Sequence, residues 1–167
     1  MLPMHAIAEL MAERLTFDCE QIVAIASGNT SKATMLDMRR QAIQELLDRA
    51  GVIHPCDMLC ERYRLRGAEA MLLTLSLMPH HAPEALERLA EVLDDDEPTT
   101  HPRLWYVLAL LEVPPDQAQE VVQSLLASTL FSERLVRTRP ATPETLDATI
   151  HPSLSVLELV GLTESDG

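Results

Sequence analysis

The chain has 167 residues, with 26 acids against 13 bases, a formal charge of −13 at pH 7, 47% apolar residues and only 3% aromatic ones. That length suits one packed core, and an apolar fraction drawn from Leu, Ala, Val and Met rather than aromatics favours helix-on-helix packing over a sheet. A field of this sign repels phosphate backbones, so nucleic acid is not expected as a partner; the longest apolar runs, Ala70–Met78 and Leu104–Leu111, fall short of a bilayer span, and the N-terminus lacks a basic-then-apolar leader, so no membrane contact and a cytoplasmic location are expected.

Met4–Leu15 places Ala6, Ile7, Leu10, Met11 and Leu15 at helical spacing, and Asp18 with Gln21 reads as a capping box starting a second short helix that ends near Gly28. The two are expected to form an entry hairpin. Asn29, Thr30 and Ser31 are turn and N-cap residues. Ala33–Ala50 follows as the clearest amphipathic helix, with Met35, Met38, Ala42, Ile43, Leu46 and Leu47 predicted inward and Gly51 closing it. Pro55 suits the first turn of a helix carrying Met58, Leu59 and Tyr63, Gly67 breaks the chain, and the apolar helix Ala68–Met78 is expected to stop at Pro79.

Pro83 opens a helix with Leu86, Leu89, Ala90 and Leu93 on its inner face, which runs out into Asp94, Asp95, Asp96 and Glu97. Pro102 fits the first turn of a helix through Leu111, Pro114 and Pro115 break it, and Asp116 is placed to cap an amphipathic Gln117–Ser128. From Ser132 the period changes. Leu135–Thr138 and then Leu146, Ala148 and Ile150 alternate like strands on either side of a Pro140 to Pro143 turn, and Pro152 restarts a last helix with Leu154, Val156, Leu157 and Val160 before Gly161. The expected fold is mainly α, a compact bundle of about eight helices with a small C-terminal β-hairpin.

Residues 1–82 hold 10 acids and 8 bases, whereas residues 83–167 hold 16 and 5, so the excess negative charge sits in the second half. Arg62, Arg64 and Arg66 form a basic stripe able to dock the acidic face of a partner, the alternative being local pairing with Glu61 and Glu69. Arg137 and Arg139 add basic residues on the hairpin. Asp94, Asp95, Asp96 and Glu97 lack the spaced donors and Gly turn of a calcium loop and read as a solvated acidic loop, a second candidate interaction segment.

No catalytic, cofactor-binding or metal-binding residue is assigned. Gly28-Asn29-Thr30-Ser31-Lys32 has one Gly and no second G-K pair, which cannot build the amide cradle of a phosphate loop, and no G-x-S-x-G elbow occurs. His54, Cys56 and Cys60 come nearest to a metal set, but a structural zinc site needs four closely paired ligands, so ordinary half-buried thiols are expected. Three cysteines cannot all pair within one chain, and reduced thiols follow.

Between Leu65 and Leu111 a Leu-rich helix (Glu69, Leu72, Leu73, Leu75, Leu77, Pro79) is followed by Leu93, Asp94 and Asp95, and then by a Pro-led helix (Pro102, Leu104, Leu108, Leu111). This order resembles the N-terminal winged-helix-like domain that precedes the ATPase module in a group of bacterial AAA+ ATPases, including those found with contractile injection systems. Leu130–Arg137 and Leu146–Gly161 resemble that family's closing elements, although the usual Arg is missing. The resemblance covers residues 55–161 and rests on packing and turn residues; residues 1–54 read as separate N-terminal helices and 162–167 as a polar tail or linker.

What the resemblance implies is a non-catalytic domain that recognises a substrate or adaptor for the ATPase. The ATPase module itself is absent, since the only glycines are Gly28, Gly51, Gly67, Gly161 and Gly167. A free-standing acidic helical adaptor or secretion-type chaperone is the alternative. Both readings expect a protein partner, possibly an ATPase module in cis, and no cofactor.

Overall fold

A computed structural model describes residues 2–97, 99–140 and 146–163. The chain opens with one long helix, α1 (Met4–Ala26), in place of the predicted hairpin of two. No Gly or Pro lies between Leu15 and Gln21 to break it, and Thr16 Oγ1 donates back to the Ala12 carbonyl at 3.1 Å, a bond compatible with a helix interior. Asp18 caps nothing; its carboxylate accepts from Arg40 Nε of α2 (Thr30–Arg49) at 2.5 Å. Asn29 caps α2 by accepting the Lys32 N–H at 3.1 Å, as expected from the sequence. Asn29→Ala is expected to lower stability by about 1 kcal/mol, measured as an earlier urea midpoint at unchanged m; an unmoved midpoint would show that the cap contributes nothing.

The buried face of α2 keeps Ile43 and Leu47 of the predicted set but is otherwise rotated from it. Leu36, Ile43 and Leu47 are buried, whereas Met35, Met38 and Leu46 are 41%, 67% and 41% exposed, and Ala42 is also exposed. Arg40 and Gln44 set this rotation: they bond to Asp18 and Arg14 of α1, so the face that carries them turns toward α1. The helix packs principally on α1.

Pro55 opens α3 (Pro55–Tyr63), which ends at Arg64 in the left-handed region. The centre of the core comes from α4 (Ala68–His81), where Leu72, Leu73, Leu75, Leu77 and Met78 are no more than 1% exposed. Pro79 does not stop this helix. It ends instead at Ala82 (φ −140), because the residue before Pro83 is pushed out of the helical region. Then α5 (Pro83–Val92) buries Leu86 and Leu89.

The helix expected from Pro102 is shorter, because Pro102 to Leu104 run beside the C-terminal strand: the Ile150 N–H donates to the Pro102 carbonyl and the Leu104 N–H to the Ala148 carbonyl, both at 2.9 Å. What remains helical is α6 (Leu104–Leu110). No side chain caps α7 (Ala118–Leu126), contrary to the role expected of Asp116, and a one-turn helix, α8 (Thr129–Ser132), lies where none was predicted.

The small antiparallel sheet pairs β1 (Val136–Arg139) with β2 (Thr149–Pro152), placing Arg137 opposite His151 and Arg139 opposite Thr149. Both strands are displaced toward the C-terminus from their predicted positions. Pro152 ends β2, and Ser153 starts α9 (Leu154–Val160) by accepting the Val156 N–H on its Oγ. Part of the predicted Pro140 to Pro143 turn and residues 164–167 of the predicted tail lie outside the described residues. One buried cluster joins Leu15, Cys19, Ile22 and Val23 of α1 to the Leu-rich face of α4, to α6 and to Ile150 of β2. Among the described residues the chain is thus mainly helical with one two-stranded sheet, and no helix is long and apolar enough to cross a membrane.

Candidate functional site

Among the described residues, ion pairs hold Arg14, Arg40, Arg88 and Arg103. Arg62, Arg64 and Arg66 are exposed at the end of α3, and among the described residues none of them forms an ion pair, so the alternative of local pairing with Glu61 and Glu69 does not occur. Arg62 lies over the Tyr63 ring at 5.5 Å. Arg137 and Arg139 point outward from β1, whose residues alternate buried and exposed.

The fold brings these two segments into adjacent elements. Thr129 Oγ1 at the start of α8 donates to the Tyr63 carbonyl at 2.8 Å, α8 packs on β1, and α3 packs on α9. Arg134, in the turn between α8 and β1, is exposed and likewise unpaired among the described residues. Nothing in its type or spacing marks it in the sequence, where it stands beside Glu133.

The acidic run does not behave as one unit. Asp95 is withdrawn into the fold, its side chain 7% exposed, and it accepts from Arg103 Nε at 2.9 Å, from the Tyr106 hydroxyl at 2.6 Å and from the Glu97 N–H at 3.2 Å. Burial pushes the Asp95 carboxyl up, but these hydrogen bonds and the Arg103 charge outweigh it and hold the group below the usual range. Asp95 therefore anchors the exit of α5 to α6 and is not free to meet a partner, while Asp94, Asp96 and Glu97 remain exposed.

His54, Cys56 and Cys60 lie beside the most heavily charged contact in the interior. The His54 Nδ1 accepts the Cys56 N–H and its Nε2 bonds to the Met11 carbonyl, both at 3.0 Å, so both ring nitrogens are engaged in starting α3 and tying it to α1. Burial, followed by the Arg14 charge, lowers the His54 pKa. Burial also pushes the Cys56 thiol up to about 12 and raises Cys19 and Cys60, so all three thiols are protonated and weakly nucleophilic at neutral pH. Among the described residues no group of three or more His, Cys, Asp or Glu is arranged to hold a metal ion.

Arg14, 2% exposed, was also missed. Its Nη1 and Nη2 donate to Asp57 at 2.5 and 2.6 Å, Nη1 also reaches Gln44 Oε1 at 3.0 Å, and Nε lies 3.7 Å from Asp18. Burial alone would lower its pKa, but the Asp57 hydrogen bonds and the Asp18 and Asp57 charges reverse that. A cavity of about 220 Å³ adjoins this cluster, and its charged lining is balanced: Arg14 and Arg40 against Asp18 and Asp57. Around this cavity, opposite charges are thus matched within the chain. No family model, curated protein or solved structure matches the chain.

Proposed function

We propose that this chain is a non-catalytic protein-interaction domain that recognises a substrate or adaptor for an AAA+ ATPase, with the arginines of α3 and β1 as its docking residues. The observation that carries the reading is charge segregation. In a chain with twice as many acids as bases, Arg62, Arg64, Arg66, Arg134, Arg137 and Arg139 have no acidic partner among the described residues, although adjacent elements carry them. Surface charge left in this state adds little to stability, and it steers and orients a complementary partner. The AAA+ assignment is supported by the Leu65–Leu111 motif order.

Two measurements test the two halves of the proposal. Charge reversal at Arg62, Arg64 and Arg66 to Glu is expected to weaken capture of the partner purified with the wild-type chain at least tenfold while leaving the thermal midpoint in place; undiminished capture would remove the arginines from the interface. Reading the gene past Gly167 tests the ATPase connection. A frame that runs into a G-x-x-x-x-G-K-[ST] loop supports an ATPase module in cis, and a stop codon would sink that form of the proposal.

A further inference from the structure

The cavity beside Arg14 is walled by residues of α1, α2, α3 and α4. Buried Ile22, Cys56 and Leu73 give it an apolar floor, and partly exposed Ala70, Met71 and Thr74 lie on the side toward solvent. Its volume of about 220 Å³ exceeds the roughly 150 Å³ at which an apolar cavity takes up benzene, so it has room for a molecule built on one six-membered ring.

Two polar atoms of its lining side chains make no hydrogen bond among the described residues. Both Nη atoms of Arg14 are engaged by Asp57 and Gln44, but its buried Nε donates to nothing. Asp18 accepts from Arg40 on Oδ1, whereas Oδ2 accepts no hydrogen bond. The Arg14 Nε and the Asp18 Oδ2 lie 3.7 Å apart, too far to bond to each other and close enough for one oxygen to reach both. That oxygen must accept from Nε and donate to Oδ2. A hydroxyl does both, whereas an ether or a carboxylate cannot donate and an ammonium cannot accept. The lining charges narrow the class further: an anion would meet Asp18 and Asp57, a cation would meet Arg14 and Arg40, and either would lose its hydration without a surplus of opposite charge.

We propose that this cavity is a binding site for a small neutral alcohol or phenol, whose hydroxyl bridges Arg14 Nε and Asp18 Oδ2 and whose apolar body lies on Ile22, Cys56 and Leu73. The site uses none of the docking arginines of α3 and β1, and it stands or falls independently of them. A buried donor on a charged group is costly to leave unmade, so the hydroxyl gains more here than at an exposed surface.

Phenol, uncharged at neutral pH, is the probe. Titrated into the full chain with isotope-labelled Ile, Leu and Met methyls, it is expected to shift the NMR signals of Ile22, Met71 and Leu73 saturably while those of Leu125 and Leu130 stay in place. Toluene lacks the hydroxyl, anisole accepts without donating, and benzoate and benzylammonium carry charge; each is expected to bind at least tenfold more weakly than phenol, the scale of one lost charge-assisted hydrogen bond. Ala70→Leu, which fills the cavity from α4, is expected to abolish the shifts with the circular dichroism unchanged.

Absence of saturation, shifts confined to other methyls, an analogue binding as tightly as phenol, or a folded Ala70→Leu binding like wild type would each overturn the site. Should Ala70→Leu fail to fold, nuclear Overhauser effects in the wild type decide. Contacts from the phenol ring protons to the Ile22 and Leu73 methyls support the proposal, and their absence at saturating phenol overturns it.

Discussion

Arg14→Met is expected to lower the unfolding free energy by about 3 kcal/mol, the low end of the range for breaking a buried ion pair by removing one partner. The loss has three parts: the bidentate bonds to Asp57, the bond to Gln44 and the charge facing Asp18. The low end applies because Asp57 is 41% exposed and can recover hydration, and because Asp18 keeps Arg40. Asp57→Asn alone should cost less, and Arg14→Met in the Asp57→Asn background less than in wild type. Urea unfolding of the four proteins measures that coupling, and strict additivity would show that the pair does not act as a unit. Although burial pushes the Asp57 carboxyl up, the Arg14 bonds leave its pKa below 3.8, so the pair's contribution is complete above that pH and is lost in stronger acid. The gap between wild type and Arg14→Met should narrow there, leaving the Gln44 and Asp18 contributions.

Asp95→Ala is expected to cost a similar amount, about 3 kcal/mol, for a different reason. It leaves the Arg103 side chain, 11% exposed, without its short-range anion, and it leaves the hydroxyl of fully buried Tyr106 without an acceptor. Asp95→Asn keeps an acceptor for the hydroxyl and should cost roughly half as much, and Tyr106→Phe, which removes only the donor, about 1 kcal/mol. Thermal and urea unfolding of the three variants give the order. If Asp95→Ala stayed within about 0.5 kcal/mol of wild type, Arg103 would be satisfied by Glu97, which already lies 3.7 Å away.

The same contacts explain how much of the fold the sequence discloses. Apolar period, Pro and Gly locate most of the helices and the change to strands after Ser132, because these are local properties of the chain. The face of α2 is not local. It is set by Arg40 and Gln44 reaching Asp18 and Arg14, a choice invisible to a pattern in which Met35 and Met38 look as apolar as Leu36. The break predicted at Asp18 fails for the same reason, since an acid suited to capping is also suited to a cross-helix ion pair.

At the candidate surface, the exposure of Arg62, Arg64 and Arg66 is legible from their charge, but their lack of acidic partners among the described residues depends on where Glu61 and Glu69 point. Asp95 cannot be told from Asp94 or Asp96 by type; only its position over Arg103 and Tyr106 separates it. The rings of His80, His101 and His151 meet from distant parts of the chain, and one sequence without the fold gives no sign of it.

The dependence of α2 on α1 has a kinetic side. α2 is held mainly through its interface with α1, with Leu36, Ile43 and Leu47 as its buried residues, and is expected to open more readily than the Leu72–Met78 core. Such an excursion strips Gln44 from Arg14 and Arg40 from Asp18 while Asp57 still holds the guanidinium. The molecule is thus built in two tiers, and the amides of α2 are expected to exchange with solvent faster than those of Leu72–Met78.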